Sequence, residues 1–286
     1  DHADADALDA GDIVTDVFVY TITDSQNATA TANLTITVTG VNDTPTAQND
    51  VGVILEDETL TVVNGTNANV TSSYDATGEH SGDVLDTSSS SHKDSDLDAS
   101  ATLTVKQIKK QNGSDSNVSS GSSYNSSGTS VTGTYGTLTI GADGSYKYVA
   151  DQDAADSIAA SEQQDDIFVY TITDGTEDVS ANITITVLGE NDNPTAQNDV
   201  GVINEGSTLT VQNSSNANVS GSFDANGENS GDVIHTSSSS HKDSDPDTSN
   251  TLSISHIKKS GGSNSTVSSG SSYNSSGTSV TGTYGT

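Results

Sequence analysis

The chain repeats itself, and this constrains its fold more than any other feature. IFVYTITD at 167–174 restates VFVYTITD at 17–24, and NPTAQNDVGVI at 193–203 restates TPTAQNDVGVI at 44–54. SSSSHKDSD stands at 88–96 and again at 237–245, and Val118–Thr137 recurs unchanged as Val267–Thr286. The offset is 150 residues early and 149 later, because one residue is lost between Asp174 and Asn191. A period of that length is too long for a solenoid turn and suits a whole domain, so near-identical modules in series are expected. The repeat divides the chain into the C-terminal part of one unit (1–44), a complete unit (45–194) and the N-terminal part of the next (195–286). Asp1 aligns with Asp151 and Thr286 with Thr137, and Leu138–Ala150 has no second copy. The sequence therefore reads as a window onto a longer polypeptide or a polymer.

Within each unit the apolar residues alternate with polar ones. Phe18, Tyr20 and Ile22 are interleaved with Val19, Thr21 and Thr23, and Leu34, Ile36 and Val38 with threonines. Leu103, Val105 and Ile108 follow the same rhythm with one slip. Period-two runs of β-branched and aromatic residues are the strand signature. About nine short strands per unit are expected: 51–55, 59–63, 70–74, 102–108, 130–133, 135–140, 145–149, 167–173 and 182–188. With their Gly, Asn, Asp and Ser turns they predict an all-β antiparallel sandwich. The core should hold Phe18, Tyr20, Ile22, Leu34, Ile36 and Val38 and their counterparts Phe168, Tyr170, Ile172, Ile183, Ile185 and Val187. Asp153–Gln164 is the one stretch with helical spacing, worth a turn or two. The Ser/Gly/Asn-rich stretches 75–101 and 109–129 read as surface loops.

Composition narrows the function. The chain has 8 Lys and no Arg against 40 acidic residues, for a formal charge of −32. Phosphate backbones need clustered Lys and Arg, so nucleic acid is not an expected partner. No apolar run approaches the ~18–20 residues of a membrane span, so no membrane insertion is expected in this segment. Cysteine is absent, which removes disulfides and metal–thiolate sites. No nucleophile elbow or triad pattern is present, and no enzymatic activity or catalytic residue is expected.

Three motifs occur in a fixed order: GTYGTLTIGADGSYKYVADQ, then DDIFVYTITDG, then ANITITVLGENDNPTAQND. Together they resemble the VCBS repeat, a bacterial cadherin-like, Ig-like module found in tandem in very large secreted adhesins. The resemblance spans the whole period. It implies an extracellular or cell-surface β-sandwich, extension in tandem, and Ca2+ near the junctions between modules.

The junction motifs GVNDTP (40–45) and GENDNP (189–194) resemble the DxNDNxP linker of cadherins, with Gly40 or Gly189 in place of its first aspartate. The resemblance carries over to Asn42, Asp43, Asn191 and Asp192, to Glu56 and Glu205 downstream, and to the alternating acids Asp94, Asp96 and Asp98 or Asp243, Asp245 and Asp247. Calcium takes six to eight oxygens at about 2.3–2.6 Å, and alternating acids in a loop can supply them. Solvated turn residues are the other reading, since Asn and Asp favour turns. The EF-hand spacing is not matched. His92 and His241 sit at equivalent places without further nitrogen ligands and read as exposed loop residues. Lys109-Lys110 and Lys258-Lys259 read as solvated strand ends.

The function expected is that of a non-enzymatic repeat protein, a calcium-stiffened stalk, fibre or matrix whose modules meet further copies head to tail. A cell-surface or glycan target is the adhesive partner such a role implies. Two rivals stay open. One is a filament subunit in which copies complete one another by strand donation. The other is a carbohydrate- or ice-binding module.

Overall fold

A computed structural model describes residues 3–63, 69–70, 83–85, 93–199, 201, 203–211, 218–220, 233–234, 242–272 and 274–286. The chain is all-β, and among the described residues the only helix is a single turn, α1 (Ala3–Asp6). Two compact units are present, 1–190 and 191–286.

Unit 1 opens with a hairpin of β1 (Ile13–Thr23) and β2 (Thr29–Thr39), paired from Ile13↔Thr39 to Thr23↔Thr29. The sandwich follows. Its strands are β3 (Asp50–Leu55), β4 (Thr59–Val62), β5 (Asn69–Val70), β6 (Thr104–Lys110), β7 (Ser116–Asn117), β8 (Thr129–Thr132), β9 (Thr137–Ile140), β10 (Tyr146–Val149), β11 (Gln163–Thr173) and β12 (Asp178–Leu188). One sheet has the order β5-β4-β10-β9-β8 and the other β3-β12-β11-β6-β7. All pairings are antiparallel except β3 with β12, which run parallel from Ile183↔Asp50 to Leu188↔Leu55.

The core lies between these sheets, and the period-two pattern is what places it there. Phe168, Tyr170, Ile172, Ile183, Ile185 and Val187 are fully buried, facing Leu60, Val62, Leu138, Ile140, Tyr146 and Tyr148. The rings of Tyr148 and Phe168 meet edge to face, with centroids 6.1 Å apart. The slip in the 103–108 rhythm is a β-bulge. Ile172 pairs with Val105 and Thr171 with Gln107, so Lys106 is the extra residue.

Three expectations need correction. Phe18, Tyr20, Ile22, Leu34 and Ile36 do not lie in a core: they are 55%, 50%, 62%, 50% and 42% exposed, and Val38 is only partly buried. The β1–β2 hairpin is a two-stranded sheet, and among the described residues no third strand pairs with it. The 153–164 stretch forms turns, closed by Ala155 N–H to Gln152 O and Ile158 N–H to Ala155 O, and its Ala155 and Ile158 enter the core. The 109–129 stretch is more than a surface loop: it supplies β7, and the buried Ser122 accepts from Ala142 N–H and Asp143 N–H. Most of 75–101, the remainder of the strand expected at 70–74, and both His92 and His241 lie outside the described residues.

The lost residue that changes the offset is located by the hairpin turns. Five residues, 24–28, join β1 to β2, and four, 174–177, join β11 to β12. Asp24 Oδ1 accepts from Gln26 and Ala28 N–H in the first turn, and Asp174 Oδ1 from Thr176 and Glu177 N–H in the second. The change in length is absorbed in the turn, and the strand registers match.

Among its described residues unit 2 holds two short two-stranded sheets. Its strands are β13 (Thr208–Thr210), β14 (Asn218–Ser220), β15 (His256–Ile257) and β16 (Ser265–Thr266), paired β13–β14 and β15–β16. They correspond to β4, β5, β6 and β7. Ile203, Ile254 and Ile257 are exposed at 44%, 42% and 45%.

Candidate functional site

The acidic run 94–98 is divided between two environments. A short bridge, Thr46 to Ser95, docks it against the segment that enters the sandwich. Asp96 Oδ1 accepts from Asp98 N–H at 2.9 Å, and Asp98 Oδ2 accepts from Asp43 N–H at 2.9 Å. Asp96 and Asp98 thus meet the junction residues Asn42 and Asp43. Asn42 Nδ2 donates to Asp174 Oδ2 at 2.9 Å, and Thr44 donates to Glu177, so the β11–β12 turn closes the same corner. Asp9 completes it by accepting from Ser100 N–H at 2.9 Å. A cleft of about 340 Å3 lies among Asp9, Asn42, Asp98, Ser100 and Asp174.

Charge is concentrated in this corner. Asp43 is held above the usual carboxylate range by partial burial first, then by the carboxylates of Asp98, Asp6 and Asp96. Asp174 is held below it, chiefly by the N–H groups of Glu177 and Thr176 and then by Asn42. Asp98 is 8% exposed, yet its Oδ1 has no hydrogen-bond partner, and neither has the buried Oδ2 of Asp96. Buried carboxylate oxygens without donors are costly. Oxygen-only donors of this kind fit a hard cation and exclude a thiolate- or imidazole-seeking metal. As the side chains stand, among the described residues no three of His, Cys, Asp and Glu converge into a metal-holding group.

Unit 2 repeats the arrangement. Thr195 bridges Ser244, Asp245 Oδ1 accepts from Asp247 N–H at 3.0 Å, and Asp247 Oδ2 accepts from Asp192 N–H at 3.1 Å. Asp247 is 3% exposed and its Oδ1 also lacks a partner. Asn250 Nδ2 donates to Asp247 and Asp245 at 2.7 and 3.2 Å.

The remaining sequence candidates are placed elsewhere. Asp94 points inward: it is 2% exposed and accepts from Gln48 N–H at 2.7 Å and from the Tyr170 hydroxyl. Asp243 accepts from Gln197 N–H at 2.7 Å in the same way. Glu56 is at the other end of the sandwich, where its Oε1 accepts from Glu190 N–H at 2.5 Å and its own N–H reaches Leu188 O. Ten residue steps of β12 separate that end from the Asp174 turn, roughly 30 Å at about 3.3 Å per residue. Glu56 therefore does not join Asp43, Asp96 and Asp98. Glu205 is exposed beside the Asn204–Ser207 turn, and the Asn191 side chain donates to Asp192 O at 2.8 Å. Lys109 pairs with Asp115 at 3.0 Å and Lys110 donates to Thr134 at 2.7 Å, so both serve their own strand end.

The glycines that replace the linker's first aspartate have a steric cause. A Cβ on Gly40 would lie 2.2 Å from Asp9 O, and one on Gly189 would lie 2.0 Å from Ile158 O. The chain passes too close to the preceding turn for any side chain, so the missing ligand is given up to backbone packing.

Sequence reasoning missed Asp9, Asp174, Asp50 and Asp166. The last two had a signal, because each occupies an inward position of an alternating strand. Asp166 takes N–H bonds from Thr134, Tyr135 and Gly136 and a hydroxyl bond from Tyr148 at 2.8 Å. Asp50 is 7% exposed, and burial, opposed by a Tyr170 hydrogen bond and reinforced by Asp94 and Asp83, pushes its carboxyl up to about 9.

No family model matches the chain, and no curated protein does.

Proposed function

We propose that the chain is a structural, non-enzymatic repeat of a large extracellular protein of the cadherin-like VCBS kind, whose junctions are stiffened by calcium. The observation that carries this reading is the corner built from Asp43, Asp96 and Asp98 and built again from Asp192, Asp245 and Asp247, with an orphaned, buried oxygen on Asp98 and on Asp247. Water-exposed turn acids would not need the same buried geometry twice. A bound dication would supply charge neutralisation and coordination to those oxygens. Asn42, Asp43, Asp96 and Asp98 would hold it in unit 1, and Asp192, Asp245 and Asp247 in unit 2. The backbone bonds from Asp43 and Asp192 N–H already orient the carboxylates, and the surplus of 40 acidic residues over 8 lysines draws cations to the surface.

Binding to the native state alone adds about 2.7 kcal/mol at a hundredfold excess over Kd. Thermal unfolding followed by circular dichroism should therefore shift upward on going from EDTA to millimolar Ca2+. Asp98→Asn together with Asp247→Asn should reduce that shift, and calorimetric titration should show the lost sites. Superimposable melts with and without Ca2+ would leave these carboxylates as turn residues only.

A further inference from the structure

A buried group of oxygens in unit 1 lies inside the sandwich, apart from the corner, and the Tyr170 hydroxyl is its centre. Gln48 O stands 2.7 Å from that hydroxyl, and the two carboxylate oxygens of Asp94 stand 3.2 and 3.1 Å from it. The Asp50 carboxyl acts on the same hydroxyl. A phenol has one proton to give. It cannot serve a carbonyl and two carboxylates at once, so oxygen faces oxygen here without enough hydrogen between them. Gln48 N–H relieves Asp94 Oδ1, at 2.7 Å. Asp50 Oδ2 is buried and has no hydrogen-bond partner.

A third carboxylate adds to the charge. Asp83 is buried, and it acts on both Asp50 and Asp94. Its place is fixed by the β9–β10 turn: Val84 N–H donates to Gly144 O at 3.3 Å, and Leu85 N–H donates to Asp83 Oδ1 at 3.0 Å. A Cβ on Gly144, whose φ is +86°, would lie 2.8 Å from that Oδ1, so the turn closes directly over the acid. The side chains acting on Asp50 and Asp94 are these acids and Tyr170, with no basic group among them. Three buried carboxylates without a cation are costly.

We infer that Asp50, Asp83, Asp94 and Gln48 O form an interior site for a divalent, oxygen-seeking cation, of which calcium fits best. The two oxygens of Asp94, the two of Asp50, Gln48 O and a carboxylate oxygen of Asp83 together reach the number that calcium takes, and the set holds neither nitrogen nor sulfur. As the side chains stand no three carboxylates converge there. Binding turns Asp50 inward, and its Oδ2 has no donor to give up. The Tyr170 hydroxyl then serves Gln48 O and Asp94 from outside the ligand set and holds both in place. Asp94 is the inner end of the run whose outer acids are Asp96 and Asp98, so an ion here fastens that run to β3 and β11. The inference does not rest on calcium at the corner.

The test uses the 286-residue chain carrying Asp98→Asn and Asp247→Asn, so that the corners are weakened throughout. Terbium(III), an oxygen-seeking stand-in for Ca2+, luminesces when an excited tyrosine lies beside it, and the chain has no tryptophan to compete. In that background tyrosine-sensitised terbium luminescence should appear, and Ca2+ should displace it. Adding Asp50→Asn should weaken terbium binding at least about tenfold while the circular dichroism spectrum stays the same. Tyr170→Phe keeps the ring and removes the hydroxyl, and calorimetric titration with Ca2+ should show binding weakened about tenfold. This second variant decides the matter if Asp50→Asn fails to fold. Absent luminescence, luminescence that Ca2+ leaves in place, or wild-type affinity in either variant would overturn the inference and leave these carboxyls holding protons alone. The corner is judged separately, by what Asp98→Asn with Asp247→Asn removes from the wild-type response to Ca2+.

Discussion

Phe168→Ala should cost the sandwich about 3–5 kcal/mol, and Phe18→Ala should cost it less than about 0.5 kcal/mol. The two phenylalanines stand at equivalent positions in the similar segments VFVYTITD and IFVYTITD. Phe168 is fully buried against Tyr148 and the opposite sheet, so removing its ring loses the transfer energy and leaves a cavity. Phe18 is 55% exposed in a two-stranded sheet, so little is lost. Denaturant unfolding followed by circular dichroism measures both. Equal costs at the two positions would mean that the hairpin shares the core after all.

Asp50→Asn should stabilise unit 1 above neutral pH and flatten its dependence on pH. The buried carboxyl keeps its proton in the native state up to about pH 9. The unfolded chain releases it near pH 4. Below about pH 4 both states are protonated and Asp50 contributes no slope. Between those values the native state holds the extra proton, so stability falls as pH rises, by up to about 1.4 kcal/mol per pH unit from this group. Asp94, raised to about 6 mainly by burial, adds to the fall between roughly pH 4 and 6. Asp9, Asp174 and Asp178 are lowered by hydrogen bonds and act oppositely, but only in acid, where they lose stability as pH drops below about 4. Asparagine keeps the shape of the Asp50 side chain and has no proton to lose. Melts in EDTA at pH 5, 7 and 8.5 check this. Parallel pH profiles for wild type and variant would show that Asp50 is ionised in the fold.

Much of the fold was legible because alternation reports the pleat directly. The large apolar inward positions of β11 and β12, from Phe168 to Ile172 and from Ile183 to Val187, were named from the sequence, and the slip before Ile108 proved to be a bulge. Alternation says which residues share a face but not whether another layer exists to cover it. For that reason Phe18 and Phe168, in nearly the same sequence, have opposite fates. The candidate site was legible in part. The motif brought Asn42, Asp43, Asp96 and Asp98 to one corner. It could not assign Glu56, because β3 carries that residue the length of a strand away, nor Asp94, which Tyr170 and Gln48 draw inward. Asp9 and Asp174 were missed because turn acids far apart in sequence meet only through the tertiary fold.

The parallel pairing of β3 with β12 has a mechanical consequence. The first and last strands of the sandwich lie side by side, from Ile183↔Asp50 to Leu188↔Leu55. The chain enters β3 at the end nearer the Asp174 turn and leaves β12 at the opposite end. Tension applied through the two ends therefore slides the strands along each other and loads all of their slanted hydrogen bonds at once. A hairpin pulled apart from its open end would instead give up its bonds in sequence, one after another. The sandwich is wired so that a pull along the polypeptide meets its whole terminal ladder in shear.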